Sequence, residues 1–66
     1  MVDATIFFGS TEVPCTVSSI SKIGACLVVQ STHGIPDVFE FAERDRPTCT
    51  CKVVWRDGTR LGVYFR

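Results

Sequence analysis

From Thr48 to Phe65 apolar residues recur at every second position, on either side of a break at Arg56-Asp57-Gly58-Thr59. Cys49, Cys51, Val53 and Trp55 share one side of the first run, opposite Thr48, Thr50 and Lys52. After the break, Leu61, Val63 and Phe65 resume the apolar side. A strand turns successive side chains to opposite faces, so a period of two gathers the apolar groups on one face of a sheet. Asp-Gly supplies the positive φ angles that a tight hairpin turn requires and is the strongest local signal in the chain. The two runs therefore read as a β-hairpin, with Arg56 and Arg60 as exposed charges at its strand ends.

The same period runs through the rest of the sequence. Thr5 to Phe8 is a short β-prone run closed by the turn-rich Gly9-Ser10-Thr11-Glu12. Val13 to Ser18 puts Val13, Cys15 and Val17 on one face. Ser19 to Gly24 reads as a tight connection, and Ala25 to Val29 is apolar on both faces, as a central strand would be. Gln30 to Asp37 carries Gly34 and Pro36 and reads as a loop. Val38 to Phe41 follows with Phe39 and Phe41 inward, and the charged Glu43 to Pro47 is an exposed link. Six short, evenly spaced strands without a helical segment predict one all-β domain over residues 1–66, a small barrel or sandwich.

The chain's 66 residues bury only about 60% of the surface their unfolded form would expose, so the core must be economical. With 45% hydrophobic residues, five of them Phe, the composition is too apolar for a disordered segment. Seven basic residues balance seven acidic ones, whereas phosphate neutralisation gives nucleic-acid binders a basic excess. No nucleic-acid role is expected. The longest apolar run, Ala25 to Val29, falls far short of the ~20 residues of a spanning helix. Met-Val-Asp-Ala-Thr lacks the basic start of a signal peptide, so a cytoplasmic protein without membrane contact is expected. Cys15, Cys26, Cys49 and Cys51 all lie in strand-like runs. Buried thiols acting as small hydrophobes are the first reading, ahead of a metal site or disulfides, because Cys49 and Cys51 form Cys-x-Cys and not a Cys-x-x-Cys knuckle.

Three stretches taken in order resemble the PilZ family. Cys15-Thr-Val-Ser-Ser19-Ile-Ser21-Lys-Ile-Gly24-Ala25-Cys-Leu27 is similar to that family's strand, D/N-x-S-x-x-G turn and following strand. Ile35-Pro36-Asp37-Val38-Phe39-Glu40-Phe41 is similar to its Leu-Pro-x-x-Phe-x-Leu segment. Cys51-Lys-Val53-Val54-Trp55-Arg56, Gly58 and Arg60-Leu61-Gly62-Val63-Tyr64-Phe65 resemble its closing hairpin. The resemblance implies a six-stranded antiparallel β-barrel, PilZ-like, in a bacterial regulatory protein of cyclic di-GMP signalling. It also implies a site. Ser21 and Gly24 fall on the Ser and Gly of the turn motif, and Ser19 stands where the family has Asp or Asn. These three are the candidate ligand-binding residues, and no cofactor other than the cyclic di-GMP ligand is expected.

The family's R-x-x-x-R pair precedes its first strand, and here no Arg or Lys precedes Lys22. Arginine suits the ligand because its planar fork grips phosphate or the guanine edge and stacks on the base. Each charged hydrogen bond is worth roughly 1.5–3 kcal/mol, so losing two weakens binding by about 10²- to 10⁴-fold. The expected function is thus a PilZ-like regulatory domain that binds cyclic di-GMP weakly or not at all. The alternative is a degenerate adaptor that contacts another protein, or itself, through an edge strand or apolar surface. Arg56 and Arg60 repeat the R-x-x-x-R spacing at the wrong end of the chain. In this reading Ser19 and Ser21 otherwise serve only the turn's own backbone. Catalysis is not expected, since His33 is the only His and stands in a loop beside no nucleophile motif.

Overall fold

The computed structural model describes residues 2–66, which form six antiparallel strands and no helix. They are β1 (Val2–Phe8), β2 (Thr11–Ile20), β3 (Gly24–Val28), β4 (Val38–Glu43), β5 (Arg46–Arg56) and β6 (Arg60–Phe65). Around the barrel they run β1-β2-β3-β6-β5-β4, and β4 pairs back onto β1 from Ala4↔Glu43 to Phe7↔Glu40. The all-β, six-stranded antiparallel barrel expected from the sequence is the fold. Closure leaves no edge strand among the described residues, so docking by strand addition loses its basis. No described helix is long and apolar enough to cross a membrane.

The interior follows the period-two pattern. Ile6, Leu27, Phe41, Cys51 and Leu61 are fully buried, and Ala4, Cys15, Val17, Phe39 and Val63 pack around them. Burying each large aliphatic or aromatic side chain stabilises by about 1.5–3 kcal/mol. Phe65 stacks on Phe41, with ring centroids 6.1 Å apart. All four cysteines are free thiols; Cys15 and Cys51 are buried and Cys26 and Cys49 half-buried. Burial, reinforced by the Asp3 carboxylate, pushes the Cys15 thiol up to about 11. Burial also raises Cys51, with Cys49 and Cys15 adding to the shift. Both are neutral at pH 7 and pack as small hydrophobes.

Three local expectations are corrected. β5 bulges between Val53 and Trp55, so Val53 pairs with Val63 but Trp55 pairs with Gly62. One extra residue flips every later side chain to the other face. Trp55 therefore leaves the inward row of Cys49, Cys51 and Val53 and stands outside, 46% exposed. The Asp57-Gly58 turn has no positive φ at either residue; positive φ occurs only at Gly9 (59°) and Gly34 (85°) among the described residues. Gly9 opens the two-residue β1–β2 loop, where a primed hairpin wants it. The charged link from Glu43 to Pro47 is a hairpin as well, with Arg44 and Asp45 at its tip and Glu43 paired to Arg46.

Candidate functional site

Ser19, Ser21 and Gly24 come together on one wall. Ser19, on β2, pairs with Cys26 on β3; Cys26 pairs with Gly62 on β6, and Gly62 with Trp55 on β5. This row crosses four strands on the outer surface, because its inward neighbours Val17, Leu27, Leu61 and Val63 are buried. A groove of about 400 Å³ follows it, bounded by Ser19, Ser21 and Gly24 on one side and by Val54 and Trp55 on the other. No Lys, Arg, His, Asp or Glu among the described residues lines it.

Two glycines shape the groove. A side chain at Gly62 would run into the indole of Trp55, so the ring lies across the bare backbone of β6. At Gly24 a Cβ would collide with the Val63 carbonyl oxygen. Gly24 thus serves close approach of β3 to β6 and not an unusual dihedral, since its φ is not positive. An isolated glycine within a strand marks such approaches, so Gly62 carried a sequence signal for the groove floor that alternation alone did not use.

Ser21 is engaged in its own turn. Its Oγ accepts the N–H groups of Ile23 and Gly24, each at 3.3 Å, and donates to the Gly24 carbonyl at 3.3 Å. The Ser21 N–H also donates to that carbonyl at 2.8 Å. The turn is a side-chain-capped loop of the kind Ser and Asp favour. Ser19 is exposed at the rim.

The arginines lie elsewhere. Arg56 donates to the backbone carbonyls of Thr32 at 3.2 Å and Ile35 at 2.8 Å, and to Asp37 Oδ1 at 2.8 Å. Its side chain is only 32% exposed. It is a clamp on the loop that crosses the barrel end between β3 and β4, which corrects its reading as a simple exposed strand-end charge. Thr32 completes the clamp. Its hydroxyl donates to the Asp57 carbonyl at 2.6 Å and its N–H to the Gly58 carbonyl at 3.1 Å. Arg60 is paired with Asp57 at 3.0 Å. Backbone N–H donation from Thr59 and Arg60, together with the Arg60 guanidinium, holds the Asp57 carboxyl below its ordinary range. His33 is exposed on the clamped loop.

The arrangement offers a flat aromatic platform, the exposed Ser19 hydroxyl and apolar walls, with no charged side chain among the described residues lining it to meet a phosphate. Compared with protein-family models, with curated proteins and with solved structures, the chain finds no match in any of the three.

Proposed function

We propose that this chain is a PilZ-like regulatory domain of bacterial cyclic di-GMP signalling, cytoplasmic, which works through protein contact and binds the nucleotide weakly or not at all. The observation that carries this reading is the uncharged groove. The three residues of the turn motif border it, yet no cation among the described residues lines it, and the two arginines with R-x-x-x-R spacing are held by Asp37 and Asp57. Two phosphates laid in such a groove lose water without gaining a charged partner. Trp55 could stack on a guanine, but stacking of one base is worth only about 1–3 kcal/mol. The domain is assigned no catalysis and no resident cofactor.

Trp55 is the only tryptophan, so its fluorescence reports on the groove directly. Titration of the chain with cyclic di-GMP, followed by calorimetry and by Trp55 emission, is expected to give a millimolar dissociation constant or no saturation. A micromolar constant would overturn the proposal. The second reading, an adaptor that never meets the nucleotide, is favoured by the apolar rim of the groove, where Ile20 is 40% and Val54 64% exposed. Amide shifts confined to Ser19 to Gly24 at millimolar nucleotide select the first reading; unchanged spectra select the second.

A further inference from the structure

Away from the Trp55 groove the molecule has a second hollow, of about 780 Å³, over the outer face of β1 and its neighbours. Ala4, Ile6, Cys15 and Val17 are buried, so Asp3, Thr5, Pro14 and Thr16, which alternate with them, face outward. Pairing lays these residues out in two rows. Asp3 opposes Thr16, which opposes Val28, while Thr5 opposes Pro14 on one side and Ala42 on the other. Pro14, Thr5 and Ala42 carry short side chains, and the outer face is hollow over them. Arg44 follows Glu43, the partner of Ala4, and so stands beside Asp3 at one end of the groove.

The polar groups of this groove are not used by the fold. Arg46, Arg56 and Arg60 are paired with Glu43, Asp37 and Asp57. Asp3 and Arg44 are exposed, line the groove together, and are in no ion pair among the described residues, with each other or with any other group. The side chains of Thr5, Thr16 and Gln30, which also line it, make no hydrogen bond among the described residues. Glu43 borders the groove as well, but its side chain is in phase with the inward Phe39 and Phe41, only 10% exposed, and faces Arg46 at 3.8 Å. The groove thus offers one carboxylate and one guanidinium side by side, and beyond them only uncharged walls.

We infer that this groove binds a zwitterionic small molecule, an α-amino acid with an uncharged side chain, its ammonium on Asp3 and its carboxylate on Arg44. The two charged groups of an α-amino acid sit on neighbouring carbons and need an anion and a cation close together, as adjacent strands about 5 Å apart provide. A ligand with a single charge fits worse. An anion on Arg44 lies against the Asp3 carboxylate, and a cation on Asp3 lies against the Arg44 guanidinium, each a like-charge contact. The rest of the ligand runs over Thr5, Pro14 and Ala42, where hydroxyls and apolar surface meet it without charge. The volume lies within the roughly 300–1,000 Å³ of small-molecule sites. Both charged partners are exposed to water, so the affinity is in the millimolar range. The inference is independent of the Trp55 groove.

Amide NMR of the full chain, titrated separately with leucine and with glutamine, tests this. Saturating shifts are expected at residues 3–5, 14–16 and 44 for at least one of the two, with a dissociation constant of about 1–10 mM. The N-acetyl derivative of that amino acid lacks the ammonium and its amide derivative lacks the carboxylate. Each is expected to bind about 10-fold more weakly or worse. Asp3→Asn should weaken the free amino acid by a similar factor and bring it level with its N-acetyl form. Arg44→Gln should bring it level with its amide form. Both positions are on the surface, and unchanged shifts outside the groove will show that each variant is folded. No shift up to about 50 mM, shifts centred on the Trp55 groove, or equal binding of the blocked derivatives would each overturn the inference. Such a failure leaves the functional reading to its own test, the cyclic di-GMP titration.

Discussion

The turns at Ser21–Gly24 and Asp57–Arg60 are built alike. In each the first residue donates its N–H to the carbonyl of the fourth, at 2.8 Å from Ser21 and 3.0 Å from Asp57. In each its side chain accepts the N–H groups of the third and fourth residues, at 3.3 Å for Ser21 and at 3.0 and 2.8 Å for Asp57. They differ in the charge of the capping side chain and in what the turn bonds to. Asp57 is an anion with shorter bonds and an Arg60 partner, and its turn offers carbonyls to Val29 and Thr32 of the loop crossing the barrel end. The Ser21 turn is capped by an uncharged hydroxyl, and its Ile23 and Lys22 are exposed. One loop geometry thus serves two ends: a turn with an anionic cap that is bonded to the loop crossing the barrel end, and a turn with an uncharged cap that borders the groove.

The largest effect is expected where the Asp57 turn meets the loop crossing the barrel end. Arg56→Ala deletes three hydrogen bonds and leaves the Thr32 and Ile35 carbonyls without that donor, at a cost of about 2–4 kcal/mol in chemical denaturation. Most of this comes from the backbone carbonyls, because the Asp37 carboxylate is largely exposed and its pairing is screened. A loss under about 0.5 kcal/mol would mean that the clamp does not hold the loop. Next is Gly24→Ala at the Ser21 turn. The added methyl meets a backbone oxygen that cannot rotate away, so about 1–3 kcal/mol of overpacking is expected. An unchanged midpoint would mean that β3 and β6 are not in close approach there.

The smallest effects compare the capping residues directly. Asp57→Ala is expected to lower the melting temperature more than Ser21→Ala, which should cost at most about 0.5–1 kcal/mol. Acid separates them further. The Asp57 carboxyl is depressed in the folded chain, chiefly by the Thr59 N–H, so its contribution is present above its unfolded pKa and is lost as pH falls through the lower folded value. The gap between Asp57→Ala and the native chain should therefore narrow below about pH 4, while that for Ser21→Ala stays constant. If both gaps respond alike to acid, the charge distinction between the turns is wrong.

Much of the fold was legible because alternation is local. Phe39, Phe41, Cys51, Leu61 and Val63 were placed inward by their spacing, and they are buried. The candidate site was legible in part. Ser19, Ser21 and Gly24 were read as one turn and do border one groove, but the groove's other bank was misplaced. Trp55 sits in phase with Cys51 in the sequence, and only pairing against β6 inserts the bulge at Val54 that turns it outward. Asp57-Gly58 looked like the positive-φ hairpin, yet the Asp57 carboxylate caps the turn, a choice between two local solutions that a dipeptide does not settle.

The sequence by itself determined six strands, their inward residues apart from Trp55, and the lack of an Arg or Lys before Lys22, since period, composition and order are properties of neighbours along the backbone. Tertiary structure alone decided the closure of β4 onto β1, the partners of Arg56 and the side on which Trp55 stands. Each of these depends on which distant backbone lies alongside. A strand's own pattern fixes its two faces, but only its partner's register fixes where a bulge falls and what a long side chain can reach.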